Sequence, residues 1–149
     1  MRSAFIAVLL TLVSFGCVAQ DSPLKADGRL WETFDNPSIK AAYVQGAIEG
    51  LRAGAARGYV RGWVDKKQQT DSGTNDEKAV IAGMDKVLAI YTPHASVLDV
   101  VHQMDKFYGN YKNTPICMIV AVQESIASLK GTASSEQGLE QMREQGCNH

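Results

Sequence analysis

A compact all-α bundle of four to five helices, closed by one disulfide, is the fold this 149-residue sequence predicts. Three observations predict it. Apolar residues recur at three-four spacing through successive segments, those segments open on capping residues or proline and mostly close near glycine, and no run alternates apolar and polar residues as a half-buried strand would.

The opening run, "MRSAFIAVLLTLVSFGCVAQ", has one basic residue, Arg2, then a largely apolar stretch from Ala4 to Phe15 and a few small residues. This layout predicts a secretory signal peptide over residues 1–19, and the apolar run is too short to span a bilayer stably. Cys17 and Ala19 suit the small positions of a cleavage site before Gln20, which gives a freely soluble form. Gly16–Cys17 also resembles the end of a bacterial lipoprotein box, which makes Cys17 the residue a lipid anchor would use, although Ser14 and Phe15 fit that box poorly. The expected location is the periplasm, or the outer membrane through such an anchor. Removing the leader leaves about 130 residues, enough for one domain with a core. The formal net charge of −1 carries no footprint of a nucleic-acid partner.

Residues 20–36 read as an extended, polar lead-in containing Trp31 and Phe34, with room for a single turn around "GRLWETF". A single helical domain follows over residues 37–149. Asn36 caps and Pro37 opens its first helix, which runs to about Asp65 with Val44, Ala47, Ile48, Leu51, Ala55 and Tyr59 on one side. "TDSGTN" is a loop by composition. The second helix, Asp76 to Tyr91, places Val80, Ile81, Met84, Val87, Leu88 and Tyr91 together and is broken by Pro93. Ser96 and Asp99 form an S-x-x-D box that opens the third helix, which Gly109 and Asn110 end. Thr114–Pro115 starts a fourth helix with Ile116, Ile119, Val120, Ile126 and Leu129 inward, ended at Gly131. A weaker fifth segment runs from Ser135 to about Gln145 on Leu139 and Met142.

The first helix contains "GAIEGLRAGAARGYVRG", with Gly46, Gly50, Gly54, Gly58 and Gly62 at every fourth position. Glycine in a helix interior costs about 0.8–1 kcal/mol relative to alanine. A membrane-spanning zipper is excluded by Glu49, Arg52, Arg57 and Arg61 among the glycines. Each four-residue step drifts about 40° around the helix, so the ladder walks from the polar side into the apolar stripe. Gly54, Gly58 and Gly62 are therefore the expected sites of close approach by a crossing helix, with a second copy of the chain or another partner as the alternative user of that face. On this expectation Gly58→Leu and Gly62→Leu cost more stability than Gly46→Leu.

Either fate of Cys17 leaves Cys117 and Cys147. In an oxidising compartment these two most simply pair; two free buried thiols are the alternative. Two isolated cysteines lack the four ligands of a structural zinc site.

Two stretches together carry a resemblance. One is "DGRLWETF" followed by "AAYVQGAIEGL"; the other is "SVLDVVHQMDKFYGNYKNTPICMIVAVQESIASLKG". Their order resembles a group of small secreted bacterial helical proteins. It is similar, at greater distance, to the Tai-like periplasmic proteins that confer immunity to type VI secretion amidases, in which a glycine-bearing helix and a late cysteine bridge recur. "YTPHAS" supplies only Pro93 where the immunity proteins have a cysteine and a proline, and no catalytic or binding residue carries over. The resemblance implies a non-enzymatic protein that binds a protein partner, an antibacterial effector in the immunity case.

The residues themselves offer little chemistry. There is no G-x-S-x-G elbow, no H-E-x-x-H and no glycine-rich phosphate loop after a strand, so neither an enzyme nor a cofactor is expected. Asp99 and His102 stand three residues apart on one helix face, but a pair is not a metal site. The most individual surface-like feature is "DKFYGNYKN", where Phe107, Tyr108, Tyr111 and Asn113 surround a Gly-Asn turn as candidate interaction residues. Against this stands the plainer reading, in which Phe107 and Tyr108 close the core at a helix end. The competing functional class is a small periplasmic ligand-binding protein, or an enzyme, with a cleft between helices; a lipid-anchored structural factor is the third.

Overall fold

A computed structural model describes residues 25–69, 77–92 and 95–147, with side chains described except at 67–69 and 77. The expected signal peptide with Cys17, the "TDSGTN" loop, Pro93, His94 and His149 lie outside the described residues. The elements are α1 (Gly28–Glu32), α2 (Pro37–Gln69), α3 (Glu77–Ile90), α4 (Val97–Gly109), a 3-10 turn (Tyr111–Asn113), α5 (Met118–Leu129) and α6 (Glu136–Gln145). The fold is all-α among the described residues, with one disulfide between Cys117 and Cys147 whose Cα atoms are 4.8 Å apart.

Part of the expected lead-in, Asp27 to Trp31, joins the core. Asp27 caps α1 by accepting a hydrogen bond from the Arg29 amide at 2.9 Å. This turns Trp31 inward, where it is 1% exposed and packs with Val44, Ile48, Val100, Val101, Met104 and Tyr108. Trp31 Nε1 donates to Asp105 Oδ1 at 2.9 Å, and Lys40 Nζ donates to the same oxygen at 2.6 Å while lying 4.8 Å from the centre of the indole. One carboxylate thus ties α1 and α2 to α4. Gly28 is needed here because an added Cβ would lie 2.6 Å from the Tyr108 ring and 3.0 Å from Thr114 Cα.

The 33-residue α2 is about 50 Å long. Asn36 caps it by accepting from the Ser38 amide at 2.8 Å, and Pro37 takes the first helical position. Only its first half reaches the core, through Val44 and Ile48. Its second half pairs with α3, and no side chain of that two-helix arm is fully buried among the described residues. At the base of the arm, Lys130 Nζ donates to the Ala89 and Ile90 carbonyls at 2.6 and 2.7 Å, satisfying the open end of α3.

The Ser96–Asp99 box forms in both directions: the Ser96 hydroxyl accepts from the Asp99 amide, and the Asp99 carboxylate accepts from the Ser96 amide. The helix after it begins later than the sequence suggests. Thr114 and Pro115 lie in a turn, and α5 starts at Met118. The cause is tertiary: Gly28 N donates to Thr114 O at 3.0 Å, Met118 N donates to Ala26 O at 2.7 Å, and Asp27 pairs with Cys117 in an isolated antiparallel bridge. Backbone groups that would have made a helical turn serve the N-terminal segment instead. Lys130 ends α5, with Gly131 at φ +72° and the Thr132 amide donating back to Ala127 O at 2.8 Å. Ser135 then caps α6.

Candidate functional site

The turn after α4 separates the four residues expected to act together. Tyr108 is buried, and its hydroxyl donates to Ile116 O at 2.9 Å. Burial is the main cause of its pKa being pushed far above the ordinary phenol value, with the nearby Tyr43 and Asp27 adding to it. Phe107 is half-buried against the core and meets Tyr108 edge to face, ring centres 5.3 Å apart. Asn113 is buried: its Nδ2 donates to Phe107 O at 2.8 Å, and its Oδ1 accepts from Arg143 Nε and Nη2 at 3.0 and 2.8 Å. Only Tyr111, 78% exposed, projects from the turn. Three of the four candidates therefore build the fold, and the aromatic anchor group reduces to one ring.

Arg143 is the residue that sequence reasoning missed. Its side chain is 8% exposed and also donates to Glu136 and Glu140 at 2.6 and 2.8 Å, so one guanidinium joins α6 to the 3-10 turn. The hydrogen bond from Arg143, and then its charge, hold Glu136 below the usual carboxylate range. An arginine three residues from Glu140 and seven from Glu136 was the available signal, but it did not name Asn113 as the target.

The glycine ladder does not do what the helical wheel suggests. A Cβ added at Gly46, Gly50, Gly54, Gly58 or Gly62 would meet nothing within 4 Å. All five are exposed, so Gly54, Gly58 and Gly62 are not points of close helix approach among the described residues. The physical reason is the length of α2: beyond the bundle its neighbour among the described residues is α3, and α3 does not cover the glycine positions. The tight approach lies instead at Gly83 of α3, where an added Cβ would collide with Tyr59.

What the ladder borders is an open groove of about 640 Å³. Gly46, Gly50 and Gly54 line it together with Ala47, Leu51 and Ala55, and Tyr91 and Ile119 stand across from them. Further along the arm, Val60, Val64 and Ile81 are exposed, as is Ile90 near its base.

Asp99 and His102 do not form a centre. Both are exposed, and hydrogen bonds from Ser96 lower the Asp99 pKa first, with the His102 charge a minor contribution. No group of three potential metal ligands occurs among the described residues, and no helix among them is long and apolar enough to cross a membrane. No protein-family model, curated protein or solved structure matches the chain.

Proposed function

We propose that this is an exported bacterial envelope protein that works by binding another protein, in the manner of an immunity or inhibitor protein, and not by catalysis. The observation that carries this reading is the open groove along α2. Its glycines cost about 0.8–1 kcal/mol each in helix stability, and no neighbour among the described residues uses the space they leave. An apolar strip with a glycine-lined side suits a partner helix laid into it, because small residues allow close backbone approach.

Charge adds to the partner's description. At 100° per residue, Arg57 and Arg61 lie on the same side of α2 as Gly46, Gly50 and Gly54. Both are exposed and make no ion pair among the described residues. The partner segment would carry small or apolar residues followed by carboxylates. A bacterial cell-wall hydrolase delivered as an antibacterial effector is the sharpest candidate, and a second copy of the chain is the competing occupant.

The test is site-specific photocrosslinking from position 50, with position 102 on α4 as control. The expected result is one effector or hydrolase captured from position 50 only, with its activity inhibited by wild-type protein and not by Gly50→Arg. Crosslinking confined to a second copy of the chain, or equal capture from both positions, would overturn the reading.

A further inference from the structure

The arm of α2 and α3 carries an apolar strip away from the groove, where Val60, Val64 and Ile81 are exposed. Each directly follows a half-buried residue of the arm: Tyr59, Trp63 and Val80. The two helices run antiparallel, since Tyr59 reaches Gly83 while Leu51 and Tyr91 line the same groove. A step of about 100° past the contact line, taken in the same sense on two antiparallel helices, ends on the same side of the pair. The three side chains therefore share one face, with Val60 and Ile81 level to within about one turn. That face lies about 120° around α2 from Gly54, so it leaves the groove open and does not depend on the protein-binding reading.

We propose that this face binds the same face of a second copy of the chain, two arms forming an antiparallel four-helix bundle about a two-fold axis level with Ile81. Charge selects this occupant. Ile81 stands three residues after Lys78 and four before Asp85, spacings that keep all three on one side of α3. Lys78 and Asp85 are both exposed and make no ion pair among the described residues. A second α3 laid antiparallel across the first, with Ile81 central in both, sets Lys78 of each copy against Asp85 of the other. The stripe is its own complement, as a two-fold interface requires. A parallel pair would instead set lysine against lysine and aspartate against aspartate, which is repulsive.

Packing and size fit the same occupant. No side chain of the arm is fully buried among the described residues, so a helical hairpin without a core of its own gains one from the copy. With 14 residues, α3 is about 21 Å long, and two helices side by side are about 20 Å wide, a footprint of about 400 Å² on each copy. This lies at the small end of specific interfaces, so the dimer is expected to be weak.

Sedimentation equilibrium of the purified protein tests the proposal. The wild type is expected to dimerise with a Kd of roughly 50 μM. Lys78→Asp and Asp85→Lys each place like charges across the axis and are expected to raise the Kd about tenfold. Lys78→Asp combined with Asp85→Lys is expected to return it to the wild-type value, a rescue that a merely destabilised arm would not show. Gly50→Arg, in the groove, is expected to dimerise as wild type, with circular dichroism showing the same helicity in all four variants. A wild type that stays monomeric up to about 1 mM, single variants that associate as tightly as wild type, or a double variant left as weak as the singles would overturn the dimer. Loss of the dimer in Gly50→Arg would move the contact to the groove and overturn this face.

Discussion

The hydroxyl of Tyr59 on α2 occupies the space that a side chain on Gly83 of α3 would need. This is the closest approach between the two helices of the arm at any glycine described, and it comes from the partner helix, not from the ladder on α2.

Gly83→Ala is therefore expected to destabilise the protein by about 1 kcal/mol despite alanine's better helix propensity, because Tyr59 must move. Gly50→Ala and Gly58→Ala should each stabilise it by about 0.8–1 kcal/mol, since nothing opposes the new methyl groups. Equilibrium denaturation of the three variants checks the ordering. In a Tyr59→Ala background the cost of Gly83→Ala should vanish, a coupling that a double-mutant cycle reads directly.

Asn113 joins three elements, since it donates to the last turn of α4 and accepts from Arg143 of α6. Asn113→Ala is expected to cost about 1–2 kcal/mol, because the Phe107 carbonyl and the Arg143 guanidinium lose the same buried partner. Hydrogen exchange should show α6 opening ahead of α4 in this variant, whereas it is held with the body in the wild type.

The Cys117–Cys147 bridge closes 30 residues of chain. Cys147→Ser is expected to lose roughly 3–4 kcal/mol on the chain-entropy account. Reduction of the wild-type protein should lower Tm to match the variant, and the variant should be insensitive to reductant.

Two titrations work in opposite directions. Tyr108 has its pKa raised above the ordinary value of 10.0 by burial, so its contribution is complete below pH 10 and is lost as pH rises further, when the unfolded phenol ionises first. Alkaline unfolding above pH 10 should be shallower in Tyr108→Phe. Glu136 has its pKa lowered from 4.5 by Arg143, so its contribution is present above that value and fades as pH falls through the lowered one. Acid should weaken the docking of α6, and Glu136→Gln should remove that part of the pH dependence.

The features that were legible in the sequence are local ones. The Ser96–Asp99 box, the Asn36–Pro37 start, and the Gly131 stop depend on residues within one turn of one another, and each is found as read. Features decided by distant partners were not legible. "GRLWETF" looks polar, yet Asp105, 74 positions away from Trp31, supplies the bond that lets the indole be buried. Thr114–Pro115 has the chemistry of a helix start, but its backbone is engaged by Gly28. The wheel puts Gly58 and Gly62 on the same side as Leu51 and Ala55, yet both are exposed with no neighbour within 4 Å of an added Cβ among the described residues, because a wheel records which side a residue is on and not whether a neighbour covers it. Ser125 gave no signal at all: it is a buried serine of α5 whose hydroxyl finds no partner among the described residues, which only the folded chain reveals.

The bridge at the head of α5 has a consequence for how the molecule can be handled. Cys147 Sγ lies 3.6 Å from the Ala26 carbonyl oxygen, so both ends of the described domain emerge at one spot. The described domain is close to a ring. A short linker between residues 147 and 25 could close it, with new ends opened elsewhere on the surface. Anything tethered at residue 25 or residue 147 would hold the domain by that one corner and leave the arm of α2 and α3 free to reach outward.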